Sequence, residues 1–168
     1  MVCCSLLLTQ CSNAQKKSTM DNTNKNIKND NPYYSRTDTT KLAVSDSVWK
    51  TILPEEVYEV AREQGTEWAF SGKYYETDTK GDYYCAVCGN HLFRSDAKFA
   101  SSCGWPSFYE ANKENIVLKE DYSWLGIKRI EVESTCGEHL GHLFEDGPEP
   151  TGLRYCMNGA ALLFVPEE

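Results

Sequence analysis

The chain has 168 residues, of which 40% are hydrophobic and 12% aromatic, enough for one domain with a core and a polar extension. Its formal net charge of −8 excludes the positive surface on which nucleic-acid binding depends, so no nucleic-acid partner is expected. The cysteines are distributed unevenly: three lie within the first eleven residues and five in the second half. Because five is an odd number, these five indicate a metal site together with reactive thiols rather than a framework of disulfides.

Residues 1–15 contain one short apolar run that ends at Cys11 and is too short to span a bilayer as a helix. The run resembles the end of a bacterial lipoprotein signal, with Leu8-Thr9-Gln10-Cys11 at the lipobox position. This interpretation predicts a lipid anchor on Cys11 and a location in the cell envelope. No Lys or Arg precedes the run and Gln10 replaces the usual small residue, so the alternative is an ordinary disordered N-terminus and a cytoplasmic protein.

The polar segment 16–44 is rich in Lys, Asn, Asp, Thr and Ser and has almost no aliphatic side chains. Such a composition cannot bury enough apolar surface to order itself, so it predicts a disordered linker. The folded domain is therefore expected to comprise residues 45–168.

A helical pattern opens this domain between Ser45 and Gly65. Pro54 suits a first helical position, and Val57 and Val60 lie on one face. Gly65 is expected to end the helix.

Beyond Ala69 the pattern is that of short β-strands separated by turns, which predicts an antiparallel, mainly β fold. An Asn158-Gly159 turn is typical of a hairpin. The predicted strands are Gly72–Tyr75 and Asp82–Tyr84 around a Lys80-Gly81 turn, Ile116–Leu118, Ile130–Ser134, and the hairpin of Leu153–Cys156 with Ala160–Val165.

The pair Cys85-Ala-Val-Cys88, followed by a glycine, is typical of half a zinc knuckle. The second half is incomplete, because Cys136 is preceded three positions earlier by Glu133 rather than by a cysteine. Three thiolates and one carboxylate can bind structural zinc, so Glu133 is the expected fourth ligand. The alternative is a degenerate site without metal. No organic cofactor is expected.

Two further cysteines lie in segments that favour sulfur chemistry. Cys103 precedes Gly, Trp and Pro, which predicts a loop on which its thiol can move to meet another sulfur. Arg154 and Cys156 are two residues apart, so in a strand they share a face, and the cation favours the thiolate. His139 and His142 can donate a proton to the group that the sulfur attacks. The alternative is a buried structural cysteine with histidines in a polar core.

Four segments in this order resemble the B-type methionine sulfoxide reductases: YYCAVCGNHLFRSDAKF, SSCGWPSF, EVESTCGEHLGHLFEDGP and TGLRYCMNGAALLF. The likeness extends upstream to about Val48. It implies two antiparallel sheets in a barrel-like core with a short helical segment before them, and reduction of the R epimer of methionine sulfoxide.

Carried over by position, the resemblance makes Cys156 the catalytic cysteine and Cys103 the resolving cysteine. The other active-site residues that it implies are His139, His142, Arg154, Asn158 and, as the wall for the substrate methyl group, Trp105. The matched zinc cysteines are Cys85, Cys88 and Cys136, three of the family's four.

These assignments predict a cycle of three steps. Cys156 attacks the sulfoxide sulfur and becomes a sulfenic acid, Cys103 condenses with it to a disulfide, and a thioredoxin-like dithiol reduces the disulfide. The rival hypothesis is a zinc-ribbon module that binds a protein without catalysis, but it leaves Cys103 and Cys156 unexplained. A third hypothesis, a reductase of protein disulfides, lacks a CxxC at the start of a helix.

Overall fold

A computed structural model describes residues 31–38 and 42–168. Within these ranges two short helices precede nine strands: α1 (Asp46–Ile52), α2 (Glu55–Ala61), β1 (Gly81–Cys85), β2 (His91–Arg94), β3 (Lys98–Phe99), β4 (Ser107–Phe108), β5 (Ile116–Asp121), β6 (Arg129–Ser134), β7 (His139–Phe144), β8 (Arg154–Met157) and β9 (Leu162–Pro166). Neither helix in these ranges has the length and apolar character that a bilayer crossing requires. The predicted signal segment 1–15 and the first half of the predicted linker lie outside the described residues.

The strands form two antiparallel sheets, which confirms the predicted fold class. The smaller sheet has the order β2-β1-β9 and the larger the order β3-β4-β8-β7-β6-β5. Buried aromatic rings pack between them: Tyr83 of β1 lies 4.9 Å from Phe108 of β4, and Phe93 of β2 stacks on Phe108 at 4.4 Å between ring centroids. The core is therefore shared, and it fixes the position of one sheet relative to the other.

The single helix predicted from Ser45 to Gly65 is wrong in detail, because the chain breaks at Leu53 and Pro54. Both residues have extended ψ angles of 144°. A residue before proline avoids the helical region, and proline has no N–H to continue the first helix. The second helix ends at Ala61, four residues before Gly65. Its buried face is the predicted one and includes Val57 and Val60.

The predicted hairpin between β8 and β9 is also wrong. β8 pairs with β4 and β7 of the larger sheet, whereas β9 pairs with β1 of the smaller one. A buried 3₁₀ turn, Gly159–Ala161, carries the chain from one sheet to the other. Asn158 has a φ of −70°, so it does not adopt the left-handed conformation that a two-residue hairpin turn requires. The predicted strand Gly72–Tyr75 is a succession of turns, with Tyr74 at a φ of +68°.

Residues 31–38, which the composition assigns to the linker, pack on the domain. The buried Asn31 donates from Nδ2 to the Val87 carbonyl at 2.7 Å, and the Ser35 N–H donates to the Cys88 carbonyl at 2.9 Å. These bonds satisfy two carbonyls of the Cys85–Cys88 turn. Ordered structure therefore begins upstream of the predicted boundary at Ser45, because a few specific hydrogen bonds outweigh a polar composition.

Candidate active site

A row of paired residues crosses four strands of the larger sheet. Ser107 of β4 is opposite Cys156 of β8, Cys156 is opposite His142 of β7, and His142 is opposite Glu131 of β6. Directly paired residues of antiparallel strands point to the same face. The register therefore places a thiol, an imidazole and a carboxylate side by side.

The Cys103 thiol, which is not part of this row, faces the thiol of Cys156, with 3.6 Å between the two Sγ atoms. Cys103 lies on the loop before β4, and the following Gly104 has a φ of +90°, which favours glycine. The loop is fixed by a hydrogen bond from the Phe70 N–H to the Gly104 carbonyl at 2.8 Å. Both cysteines are half-buried, so a substrate can reach them.

The two thiols differ in acidity. Burial raises the pKa of Cys103, but hydrogen bonds from Ser101 and Ser107, whose Oγ atoms lie 2.8 and 3.5 Å from its Sγ, outweigh this and lower the pKa to about 7. Burial and the neighbouring Cys103 raise the pKa of Cys156 to about 12, although Arg154 opposes the shift. Near neutral pH the negative charge of the pair therefore resides on Cys103, and Cys156 keeps its proton.

Arg154 lies two residues before Cys156 on β8, as the predicted strand required. Its guanidinium binds Asp146 through two hydrogen bonds of 2.8 Å and stacks 4.4 Å above the Phe144 ring. These contacts fix the cation beside the thiols, where it favours the thiolate of Cys156 without outweighing burial.

The two predicted histidines have different partners. His142 Nε2 lies 2.9 Å from Asp121 Oδ2, and burial lowers the pKa of His142 despite this carboxylate. His139 is almost fully buried, with its Nδ1 2.6 Å from Glu131 Oε1. The rings are 5.5 Å apart. His142 is thus the imidazole opposite the Cys156 thiol, and His139 lies behind it.

Asn158 is buried and connects two segments. Its Nδ2 donates to the Leu140 carbonyl at 3.1 Å, and its Oδ1 accepts the Glu67 N–H at 3.1 Å. The Glu67 carbonyl in turn accepts from Trp105 Nε1 at 3.1 Å. Asn158 and Glu67 therefore hold Trp105 in place beside the thiols.

A cleft of about 150 Å³ opens above Cys156. This volume is below the 300–1,000 Å³ typical of drug-sized ligands and suits a single side chain. Trp105 and Phe144 form apolar walls, while His142 and Arg129 are polar. The complete lining is Thr66, Trp105, Arg129, Gly141, His142, Phe144, Cys156, Met157 and Asn158. Four of the seven predicted catalytic and substrate residues thus line the cleft, Cys103 and Arg154 adjoin Cys156 outside the lining, and His139 lies behind His142.

Sequence reasoning missed Arg129, Asp121 and Glu67. Arg129 and Glu131 are two residues apart on β6, and this alternation could have placed Arg129 on the active-site face. Asp121 pairs with Arg129 across β5 and β6, and this register depends on a turn of seven residues that the sequence does not define. Glu67 lies in irregular structure, where no periodicity exists to find it.

The other cysteine cluster lies where the two sheets meet. Cys85 ends β1, Cys88 lies in the turn that follows it, and Cys136 comes from the turn between β6 and β7. Their Sγ atoms lie within 4.8 Å of one another and all three residues are buried, so the cluster could hold a metal ion. Hydrogen bonds from Cys136 and Cys85 lower the pKa of Cys88 to about 4, so the cluster favours at least one thiolate.

Glu133 is not part of this cluster, contrary to the predicted ligand set. Its carboxylate binds Lys119, with 2.5 Å between Oε2 and Nζ. The next residue, Ser134, instead places its Oγ 3.5 Å from Cys88 Sγ. Alternation along β6 turns neighbouring side chains to opposite faces, and counting three residues back from Cys136 selects the wrong one.

Comparison with known proteins identifies the family. Residues 53–166 match the family model described as the SelR domain. A relative from Methanosarcina mazei, named peptide methionine sulfoxide reductase MsrB, is 53% identical over 130 residues, which cover 76% of this chain and 92% of the relative. The chain belongs to the B-type methionine sulfoxide reductases.

Other relatives of this reductase carry the same name. That from Leptospira interrogans is 52% identical over 124 residues, covering 73% of this chain and 95% of the relative. The relative from Methanosarcina barkeri is 53% identical over 126 residues, which cover 74% of this chain and 88% of the relative. The reductase accordingly acts on the R epimer of methionine sulfoxide, and the non-catalytic zinc-ribbon hypothesis is rejected.

Proposed function

We propose that the reductase repairs methionine-R-sulfoxide in peptides and proteins through a sulfenic acid on Cys156 and a Cys103–Cys156 disulfide. The observation that supports this route is the position of Cys156 at a cleft for one side chain, with Cys103 Sγ 3.6 Å from its own sulfur. An enzyme that formed no disulfide would have no need for the second thiol at this distance.

In the first step the Cys156 sulfur attacks the sulfoxide sulfur, the S–O bond breaks, and the oxygen ends on Cys156 as a sulfenic acid. Methionine gains two electrons and the thiol loses two, so the exchange is balanced. A histidine takes up the Cys156 proton as the sulfur attacks and passes it to the departing oxygen, and His142 is better placed than His139 because it lines the cleft.

In the second step Cys103 attacks the sulfenic sulfur, an S–S bond forms and water leaves. An external dithiol of the thioredoxin type then reduces this disulfide by exchange and is itself oxidised to a disulfide. The half-buried position of both cysteines is compatible with this exchange.

A direct test is to assay the separate R and S epimers with dithiothreitol as reductant. We expect consumption of the R epimer alone, formation of a Cys103–Cys156 disulfide when reductant is omitted, and faster turnover with thioredoxin. Equal consumption of both epimers, or a sulfenic acid that persists without disulfide formation, contradicts the proposed route.

We also propose that the metal at the buried cluster is zinc, held by Cys85, Cys88 and Cys136. The distance of 3.9 Å between the sulfurs of Cys85 and Cys136 agrees with the roughly 3.8 Å that a tetrahedral ion with Zn–S bonds of about 2.3 Å requires. Zinc there supplies a structural cross-link between the sheets. Elemental analysis of purified protein should find about one zinc per chain.

A further proposal concerns location. The pattern at Cys11 supports a lipid anchor in the cell envelope, with the intervening polar segment as a tether. Fractionation tests it: the wild type should sediment with membranes and Cys11→Ala should not. Recovery of the unmodified N-terminal peptide from cytosol contradicts the anchor.

A further inference from the structure

Arg129 is a cleft residue that the proposed mechanism does not use. It begins β6 and lines both the cleft above Cys156 and a smaller polar pocket behind His142. Its Nη2 lies 2.6 Å from Asp121 Oδ2 and 3.3 Å from Ser123 Oγ. Its Nε is buried and has no hydrogen-bond partner among the described residues. A buried donor without a partner costs free energy unless a ligand completes it.

Asp121 holds Arg129 and His142 together. The same oxygen, Oδ2, lies 2.6 Å from Arg129 Nη2 and 2.9 Å from His142 Nε2. Hydrogen bonds from Ser123, followed by that from His142, lower the pKa of Asp121, so the carboxylate is ionised. An ionised carboxylate only accepts, and His142 therefore carries its proton on Nε2 and directs it to Asp121.

This arrangement leaves the sulfoxide oxygen without a hydrogen-bond donor at the start of the attack, before a histidine has taken up the Cys156 proton. In the neutral ring the only N–H of His142 is occupied by Asp121, and Nδ1 is an acceptor. A guanidinium is always protonated, has five N–H groups and accepts nothing. A sulfoxide oxygen becomes more negative as the S–O bond breaks, so a fixed cation beside it stabilises the transition state more than the ground state.

We propose that Arg129 binds the sulfoxide oxygen through guanidinium N–H groups that Asp121 and Ser123 leave free, with Asp121 holding the guanidinium in place. This inference rests on the proposed attack by Cys156. Arg129 transfers no proton and no electrons; it stabilises the negative charge on the oxygen while the oxygen passes from methionine to Cys156.

The proposal also gives a physical reason for the choice of epimer. The sulfoxide sulfur carries an oxygen, a methyl group and the rest of the side chain. With the sulfur facing Cys156, an oxygen at Arg129 and a methyl group against Trp105 leave one direction for the remaining carbon. Because the reductase acts on the R epimer, the S epimer is the one that must exchange the oxygen and the methyl group, which places the oxygen on an aromatic wall and leaves Arg129 without a partner.

The test compares Arg129→Gln with Arg129→Lys and a matched control, Lys128→Gln. Lys128 is the adjacent cation on the same hairpin; it pairs with Glu120 and does not line the cleft. We expect a 10²–10³-fold fall in kcat for the R epimer in Arg129→Gln, the scale seen when one donor to a developing oxyanion is removed. Arg129→Lys should recover little, because lysine keeps the charge but not the planar set of guanidinium N–H donors. Lys128→Gln should resemble the wild type.

Two further measurements separate contact with the oxygen from a structural role. The rate of thiol alkylation and the melting temperature should be close to wild type in Arg129→Lys, while the preference for the R over the S epimer should fall. Wild-type kcat in Arg129→Gln overturns the inference, as does a loss that parallels reduced thiol reactivity or unfolding. If the wild type itself reduced no sulfoxide, the proposed function would fail rather than this inference.

Discussion

The two cysteine clusters of this reductase contain the same functional group in opposite environments. Cys85, Cys88 and Cys136 are 0, 3 and 7% exposed and lie between the sheets. Cys103 and Cys156 are half-buried at the mouth of a cleft. The three buried thiols converge on one point, as metal ligands do, whereas the two accessible thiols face each other and a substrate site. The exposure of the thiols and their number, rather than the thiol group itself, distinguish the cluster suited to a structural role from the pair suited to catalysis.

Their surroundings reinforce this difference. In the buried cluster the strongest influence on Cys88 is the other two thiols, which stabilise its thiolate. In the accessible pair burial raises the pKa of Cys103 most, but hydrogen bonds from hydroxyl groups outweigh it and bring the pKa to about 7. Neighbouring thiols thus lower a thiol pKa in one cluster, and neighbouring hydroxyl groups do so in the other.

The largest effect is expected from removing the catalytic thiol. Cys156→Ser should abolish reduction even in a single turnover, because a hydroxyl is a far weaker nucleophile and no equivalent sulfur faces the cleft. Quantifying methionine released per enzyme with equimolar R sulfoxide checks this. A variant with measurable release would show that another residue attacks the substrate.

Removing a thiol from the buried cluster should affect stability instead. Cys136→Ala should lose zinc and about 3 kcal/mol of stability, which lowers the Tm by roughly 10 °C. Calorimetry with zinc analysis measures both, and Cys103→Ser serves as the control that removes an accessible thiol. If Cys136→Ala kept its Tm, the buried cluster would not be the structural one.

Loss of the second accessible thiol should separate reduction from recycling. Cys103→Ser should release one methionine per enzyme and then stop with thioredoxin, because the sulfenic acid on Cys156 has no partner thiol. Comparison of the burst with the steady-state rate provides the measurement. Undiminished thioredoxin-driven turnover would contradict the assignment of Cys103.

The two accessible thiols should also lose their protons at different pH values. Cys103 has a lowered pKa of about 7, so its thiolate forms as the pH rises through 7, while Cys156 stays protonated to about 12. Alkylation of Cys103 by iodoacetamide should therefore follow a titration with a midpoint near 7. In Ser101→Ala, which removes a nearby hydroxyl, the midpoint should move upward. An unchanged midpoint would mean that this hydroxyl does not stabilise the thiolate.

The smallest effect is expected from completing the buried cluster. Ser134→Cys places a fourth thiol 3.5 Å from Cys88 and should raise zinc affinity at least about tenfold, with a small rise in Tm. Glu133→Ala is the control and should leave zinc content unchanged, because this carboxylate binds Lys119. Competition with a chromogenic chelator measures the affinities. If Glu133→Ala lost zinc and Ser134→Cys did not raise the zinc affinity, Glu133 would be the fourth ligand after all.

The sequence was most informative where chemistry and local spacing coincide. The spacing of Arg154 and Cys156 predicted their shared strand face, and the alternation in β5 and β6 predicted two strands. The sequence did not predict contacts between residues that are distant in the chain. Asn158-Gly159 has the composition of a hairpin turn, but the pairing of β9 with β1 decides its conformation. Glu133 and Ser134 differ as ligands only because the strand turns one of them away, and the Asp121–Arg129 pair depends on a register set by packing.

The contact of residues 31–38 with the Cys85–Cys88 turn has a mechanical consequence. Asn31 and Ser35 join the backbone at Val87 and Cys88, so a pull on the N-terminal side is delivered to the junction of the two sheets. The row of Cys156, His142 and Glu131 lies on other strands, which these two hydrogen bonds do not touch. A load applied at Asn31 therefore meets the buried cysteine turn before it meets this row.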